Sequence, residues 1–302
     1  MSEVTERCWA HIERVRADAK GLRHSFVVLR CPYRRMVSAF LDKFALPDQI
    51  ETEIDLPGWD EEMLADLNDS YHRDIARIRA ISIDLDDTLW PIWPTITRAE
   101  NVLLDWLTHH APATAALFSS TESLRAIRNQ MVALRPDLLH DLSALRRESI
   151  RLALTQAGDE PALAEPAFDL FFAERMRVEL FDDAHDTLAF LSARYPVVAV
   201  SNGNADVHRI GIGHYFRHSI SASEFGVAKP DARIFHAAAT AVDVLPHEVL
   251  HVGDDATLDA QGALNAGMQA VWINSANHPW PHDDTPPHAT VDSLTALCRL
   301  LA

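Results

Sequence analysis

From residue 78 onward the apolar residues fall into short runs, each followed by a polar turn and then by an amphipathic stretch. The runs cover residues 80–85, 197–201, 218–221, 249–253 and 270–273, too short for buried helices and the usual length of strands. Amphipathic segments over 206–216, 231–242, 257–266 and 293–301 follow the last four runs, with Pro230-Asp231 opening one and Gly267 closing another. Strands alternating with helices predict an α/β architecture, a Rossmann-like, doubly wound parallel sheet. Between the first two runs the rhythm breaks. Residues 95–108, 120–134, 138–156 and 162–178 read as helices alone, with Ser120, Thr121 and Asp137 as N-caps and Pro136 and Gly158 as stops. That connection is too long for an ordinary crossover and predicts an inserted all-helical domain. The expected division is a core of 76–90 and 180–302, an insert of 91–179, and a poorly ordered N-terminal extension of 1–75.

The formal charge of −17 argues against nucleic acid or an anionic membrane as partner, because both repel a protein of that sign. The imbalance is local: residues 1–50 carry a net +3 and the remainder −20. Small anions bound by local groups stay compatible with it. Cys8, Cys31 and Cys298 are odd in number and far apart, so neither a disulfide framework nor a cysteine metal site is expected. Nor is a second metal site expected from the 16 histidines. The first 20 residues lack the apolar core of a signal peptide, and the expectation is a cytoplasmic protein.

In an open α/β sheet ligands gather at the carboxyl ends of the strands. The first run ends in Asp84-Leu85-Asp86-Asp87-Thr88, the second in Ser201-Asn202-Gly203-Asn204, and the fourth in Gly253-Asp254-Asp255 with Asp259 beyond. Lys229-Pro230 follows the third. Carboxylates converging at one sheet edge need a compensating charge, and a divalent cation with oxygen ligands supplies it. Mg²⁺ suits such a site because it is commonly held by one or two carboxylates with a substrate phosphate. The Ser201 hydroxyl and the main-chain N–H groups of Asn202 and Gly203 are suited to phosphate oxygens. Lys229 stands out, for the chain has 24 arginines and three lysines, and none but this one after Lys43.

These four segments, in this order and at these spacings, resemble the four motifs of the haloacid dehalogenase (HAD) superfamily over residues 80–273. The resemblance implies a Rossmann-like core with a helical cap of the subfamily I type. It implies a phosphatase in which Asp84 is the nucleophile and Asp86 the general acid and base. Mg²⁺ would be held by Asp84, the main-chain carbonyl of Asp86, and Asp254, with Asp259 acting through water or Lys229. Ser201, Asn202 and Lys229 would bind phosphate, and Thr88, Gly203 and Asp255 would support the site from behind. The stretches 200–205, 213–216, 251–255 and 267–273 are also similar to bacterial phosphatases that act on 5-amino-6-(5-phospho-D-ribitylamino)uracil and flavin mononucleotide, which implies a small phosphorylated metabolite as partner. Trp90 and Trp93 are placed to stack on a planar ring, though core packing is the simpler role for each. His140, Arg146, Arg147 and Arg151 are expected on solvated faces of the insert's helices. A phosphosugar mutase shares all four motifs. A haloacid dehalogenase shares the fold but, as the resemblance implies, replaces the second aspartate. A non-catalytic phospho-accepting signalling module is the reading from another class, disfavoured by the insert and by the Asp-x-Asp order.

Overall fold

A computed structural model gives the fold; it describes residues 78–283 and 285–302. The extension expected over residues 1–75 lies outside the described residues. The backbone starts with β1 (Ala80–Ile83) and passes into α1 (Ile92–His110), α2 (Pro112–Leu117), α3 (Thr121–Leu134), α4 (Leu142–Ala157) and α5 (Ala164–Arg175). It continues through α6 (Ala184–Ser192), β2 (Val197–Ser201), α7 (Val207–Ile210), β3 (His218–Ser221), α8 (Ala222–Phe225), α9 (Ala232–Ala241) and β4 (Val249–Gly253). A π-helical turn (Ala256–Gln261), α10 (Gly262–Asn265), β5 (Gln269–Ile273), β6 (Ala289–Val291) and α11 (Leu294–Leu300) complete it.

The six strands form one parallel sheet in the order β3-β2-β1-β4-β5-β6. Successive strands are added to one side of β1 and then to the other, so the strand order reverses there, with Ile81 opposite Val197 on one side and Leu250 on the other. The four inner strands, AISI, VVAVS, VLHVG and QAVWI, are buried at every residue, as parallel strands covered on both faces must be. The edge strands are short and more exposed, which limits pairing with another chain. On one face Val198, Val200, Ile234, Phe235, Ala238 and Trp272 share a core cluster.

The helices between β1 and β2 enclose a second apolar cluster of their own, including Leu103, Leu107, Leu124, Leu154, Phe168 and Phe171. In α1, Thr95, Ala99, Leu103 and Leu107 recur at i+4 and bury one face. Ser120 caps α3 as expected, in a reciprocal arrangement with Ser123. Asp137 is not the cap of α4. It sits in a single 3₁₀ turn started by Pro136 and pairs with Arg135, so α4 begins later, capped by Asp141 through the Ala144 N–H at 2.9 Å. The helix predicted over 206–216 stops at Gly211, whose φ of 96° ends it in the left-handed region. Where the chain leaves for these helices and where it returns, the Phe181 N–H donates to the Leu89 carbonyl at 2.9 Å. No helix among the described residues is long and apolar enough to cross a membrane.

Candidate active site

Three carboxylates and one ammonium meet beyond the ends of β1 and β4, at the point where the strand order reverses. Asp84 follows β1 directly, and its main-chain N–H donates to the Val252 carbonyl at 2.9 Å, which extends the pairing with β4 by one residue. Asp254 follows β4. Asp259 comes from the π-helical turn, which swings its side chain back beneath Gly253: a Cβ at Gly253 would lie 2.3 Å from the Asp259 carboxyl carbon. Side-chain oxygens of Asp84, Asp254 and Asp259 lie within 4.8 Å of one another. Lys229, 4% exposed, donates its ammonium hydrogens to Asp84 and, at 2.5 Å, to Asp259.

The neighbouring residues hold these groups in place. Thr88 donates its hydroxyl to Asp254 at 2.8 Å and accepts the Asp254 N–H at 3.2 Å, tying the loop after β1 to the end of β4. Asn202 clamps the lysine from β2: its side-chain amide accepts the Lys229 N–H at 2.7 Å and donates to the Lys229 carbonyl at 2.9 Å. What Asn202 has left for a ligand is its main chain. Ser201 Oγ accepts the Gly203 N–H at 2.9 Å. Asp255 is exposed; its side chain accepts the N–H groups of Thr257 and Leu258, each at 2.8 Å, and its own N–H donates to Asp259 at 3.1 Å. It thus shapes the turn that carries Asp259.

Charge decides what this group of side chains can hold. Burial pushes the Asp84 carboxyl well above the ordinary range, and Lys229 only partly offsets it. Burial and then the charge on Asp259 push the Asp254 carboxyl up to about 7. Burial also raises Asp259, but Lys229 first and His251 next more than reverse that, leaving it at about 2. Burial opposes the charge on Lys229, yet Asp259 and Asp84 outweigh it and hold the ammonium above its usual range. One cation therefore serves three carboxylates, and the remaining deficit of positive charge is what a divalent ion coordinated by oxygens would fill. The donor set fits such an ion.

Asp86 does not join that cluster with its side chain. It turns to Trp90, whose indole N–H donates to Oδ1 at 2.9 Å, and to Arg175, whose Nη2 lies 2.6 and 2.8 Å from the two carboxylate oxygens. Gly203 closes the other side: a Cβ there would sit 2.3 Å from Asp86 Oδ2. Trp90 is fully buried, so it offers no ring face to a substrate; its part is to orient Asp86. Trp93 is 60% exposed on the first turn of α1, with the Arg125 guanidinium 5.5 Å from its ring centre, and is not a core residue.

The fit to known proteins is now decided by extent as well as by these residues. A family profile described as haloacid dehalogenase-like hydrolase matches residues 78–267. The chain belongs to the haloacid dehalogenase-like hydrolases. Among curated members of that family, the 5-amino-6-(5-phospho-D-ribitylamino)uracil phosphatase YigB of Escherichia coli is 34% identical over 76% of this chain and 99% of its own length. The phosphoserine phosphatase of Thermus thermophilus is 35% identical over 47% of this chain and 59% of its own. A crystal structure of 2-haloacid dehalogenase from Pseudomonas syringae pv. Tomato superposes with a TM-score of 0.69 at 36% identity, covering 74% of this chain and 98% of that one.

Two features of this hydrolase site escaped the sequence reading. His251, in the middle of β4, lies 2.8 Å from Ser82 Oγ through Nδ1 and 3.2 Å from Asp259 through Nε2, and burial lowers its pKa. With His247 it has the His-Glu-x-x-His spacing of zinc helices. That segment spans a 3₁₀ turn and a strand, with His247 exposed and His251 fully buried, so the two rings share no helix face. Arg175, at the end of α5, is the second. Arg146 is a correction: it is buried against Glu100 at 3.3 Å rather than solvated. Arg147 and Arg151 are half-buried and pair with Glu165, and His140 is half-buried.

Proposed function

We propose that the protein is a cytoplasmic, Mg²⁺-dependent phosphatase that hydrolyses the monoester of a small phosphorylated metabolite through an aspartyl-phosphate intermediate. The observation that carries this reading is the meeting of Asp84, Asp254 and Asp259 around the buried Lys229, beside a second aspartate held separately. Asp84 would attack phosphorus, forming its acyl-phosphate bond as the bond to the ester oxygen breaks. Asp86 passes a proton to that oxygen, then takes one from the water that hydrolyses the intermediate and frees phosphate. Lys229, with the Ser201 hydroxyl and the Asn202 N–H, offsets charge on the phosphoryl oxygens, while the Gly203 N–H holds Ser201 in place. Asp84, the Asp86 main-chain carbonyl and Asp254 would hold the Mg²⁺, which when bound supplies further positive charge to those oxygens. Residues 91–179 serve as a cap that excludes water from the reacting groups, over a core of 76–90 and 180–302.

Similarity to YigB across that protein's whole length favours a riboflavin-pathway phosphate or flavin mononucleotide as substrate. The net negative charge after residue 50 points the same way, toward small monophosphates over polyanions. The solved dehalogenase structure supports a second reading on the same sheet, dehalogenation of a 2-haloacid. The presence of Asp86, a second aspartate able to give a proton to the leaving oxygen, favours phosphoryl chemistry over it. The test is phosphate release by purified protein, with Mg²⁺ or with chelator, from flavin mononucleotide, phosphosugars and nucleoside monophosphates, alongside chloride release from 2-chloropropionate. Mg²⁺-dependent phosphate release that disappears in Asp84→Asn is expected. Chloride release in place of phosphate release, or turnover retained by Asp84→Asn, overturns the reading.

A further inference from the structure

One side chain reaches the acidic site from the helices between β1 and β2. Arg175 ends α5, is 1% exposed, and contacts both carboxylate oxygens of Asp86 through a single nitrogen. Trp90 holds Oδ1 from the loop after β1, and Gly203 backs Oδ2 from the loop after β2. The carboxylate is thus fixed by three separate parts of the chain. The helix that brings Arg175 is itself anchored: Phe171, one turn earlier, lies under the Arg146 guanidinium at 4.4 Å, and Arg146 pairs with the buried Glu100 of α1. The place of Asp86 is therefore set partly by the inserted helices and not by the sheet alone.

A purely structural account of Arg175 leaves one fact unexplained. Its other terminal nitrogen, Nη1, is buried with no hydrogen-bond partner among the described residues. Buried donors are normally satisfied, and a fold that needed only packing here would be served better by an apolar side chain. Keeping a guanidinium at that cost is expected where its charge acts on a neighbouring group, here the Asp86 carboxylate.

Resting on the phosphatase reading above, we propose that Arg175 is a positioning residue. It holds the Asp86 carboxyl group where a proton passes to the leaving oxygen, and it makes that placement depend on the inserted helices. In the step concerned the phosphorus–oxygen bond of the ester breaks, its electron pair stays on the leaving oxygen, and that oxygen takes the proton of Asp86. The resulting carboxylate faces Arg175.

An aryl ester whose phenol is strongly acidic leaves without a proton; one whose phenol is weakly acidic needs it. The experiment compares 4-nitrophenyl phosphate with phenyl phosphate at saturating Mg²⁺ for the unaltered protein, Arg175→Met and Arg175→Lys. Because kcat/KM reports the steps through formation of the phosphoenzyme, it carries the sensitivity to the leaving group. Arg175→Met is expected to lower kcat/KM for phenyl phosphate at least tenfold more than for 4-nitrophenyl phosphate, within the roughly 10²–10⁴-fold that a positioned proton donor provides. Arg175→Lys is expected to recover part of that difference. Equal losses of kcat/KM on both esters overturn the assignment. Should Arg175→Met fail to fold, Arg175→Lys and Trp90→Phe decide it: the second removes one hydrogen bond to Asp86 and keeps a ring in the core. The same leaving-group split in Arg175→Lys supports the role, with Trp90→Phe showing that the assay reports the placement of Asp86, and its absence from Arg175→Lys refutes it. An unaltered protein that hydrolyses neither ester would instead strike at the phosphatase reading.

Discussion

Replacing Lys229 with methionine keeps the length of the side chain and removes its charge. In the structure that charge is the direct partner of two buried carboxylates, Asp84 and Asp259. Asp259 sits at about 2 against an ordinary 3.8, with Lys229 the leading cause of the lowering and His251 the next. At 1.36 kcal/mol per unit the shift is worth about 2 kcal/mol. Breaking a buried pair by deleting one partner typically costs about 3–5 kcal/mol, since a bare charge is left behind. A loss of about 3 kcal/mol at pH 7 is therefore expected, or about 6–12 °C in Tm for a domain of this size.

The pH dependence of that loss identifies its cause. A carboxyl lowered by its partner stabilises the fold above its unfolded value and loses that contribution only as pH falls through about 2. Lys229 thus contributes fully at pH 5 to 7. Without it Asp259 is raised by burial, and Asp84, already raised, is raised further. Raised carboxyls favour the fold below their unfolded value and cost stability as pH climbs, so the gap between the two proteins should widen from pH 4.5 to 7. Thermal unfolding followed by circular dichroism at both pH values, in chelator, measures this. Added Mg²⁺ should narrow the gap at pH 7 by supplying charge to the same oxygens. A gap that is the same at both pH values, or below about 1 kcal/mol at pH 7, would mean that Lys229 acts by packing and that the charge argument is wrong.

Two other substitutions or conditions probe the same site. Gly203→Ala puts a methyl group 2.3 Å from Asp86 Oδ2 and 3.1 Å from Ser201 Oγ, so the acid must move. Turnover is expected to fall by about 10²-fold, the usual scale for a group displaced by about 1 Å; a loss of less than twofold in steady-state assays refutes the close approach. Asp254, pushed up to about 7 by burial and by Asp259, should release a proton when a cation binds. Calorimetric affinity of the metal-free protein for Mg²⁺ or Mn²⁺ is expected to rise about tenfold per pH unit up to about 7 and then level off. In the metal-free protein the same raised group makes stability fall as pH rises through 7. A flat affinity profile between pH 5.5 and 8 would exclude Asp254 as the ligand that titrates.

What could be read from the sequence followed from how local each feature is. The runs 197–201 and 249–253 are strands at those residues because each is a short, largely β-branched or apolar stretch stopped by a polar turn, and 218–221, with Ile220 as its one apolar residue, is the edge strand beside β2. Asp84 and Asp254 were legible because a strand end fixes where the next residue goes, and Lys229 because it is the one lysine after Lys43. The helix predicted over 257–266 splits into a π-helical turn and a short helix, which no spacing announces, and Asp259 meets Lys229 directly because of that turn. Asp259 was expected to act through water or Lys229, and the contact with Lys229 is the one found. Helix α6 has Ala184, Thr187, Leu188 and Leu191 on one buried face and was overlooked; β6, three residues at the sheet edge, carries almost no periodic signal. Arg175 looks in the sequence like any arginine in the last turn of a helix, where a cation suits the dipole. Its contact with Asp86 spans 89 positions and exists only in three dimensions. Trp90 is buried, as the simpler core-packing reading has it, but the sequence did not show that its N–H is used on a residue four positions earlier.

The hydrogen bond from Phe181 to Leu89 means that the polypeptide departs from the sheet and rejoins it at nearly the same spot. Everything in between hangs from a pinched neck, so its size and sequence can change without disturbing the order or register of the strands. Evolution can then vary that piece only so long as the contact from Arg175 to Asp86 is kept, and a graft made at this neck has to carry an arginine at the same place.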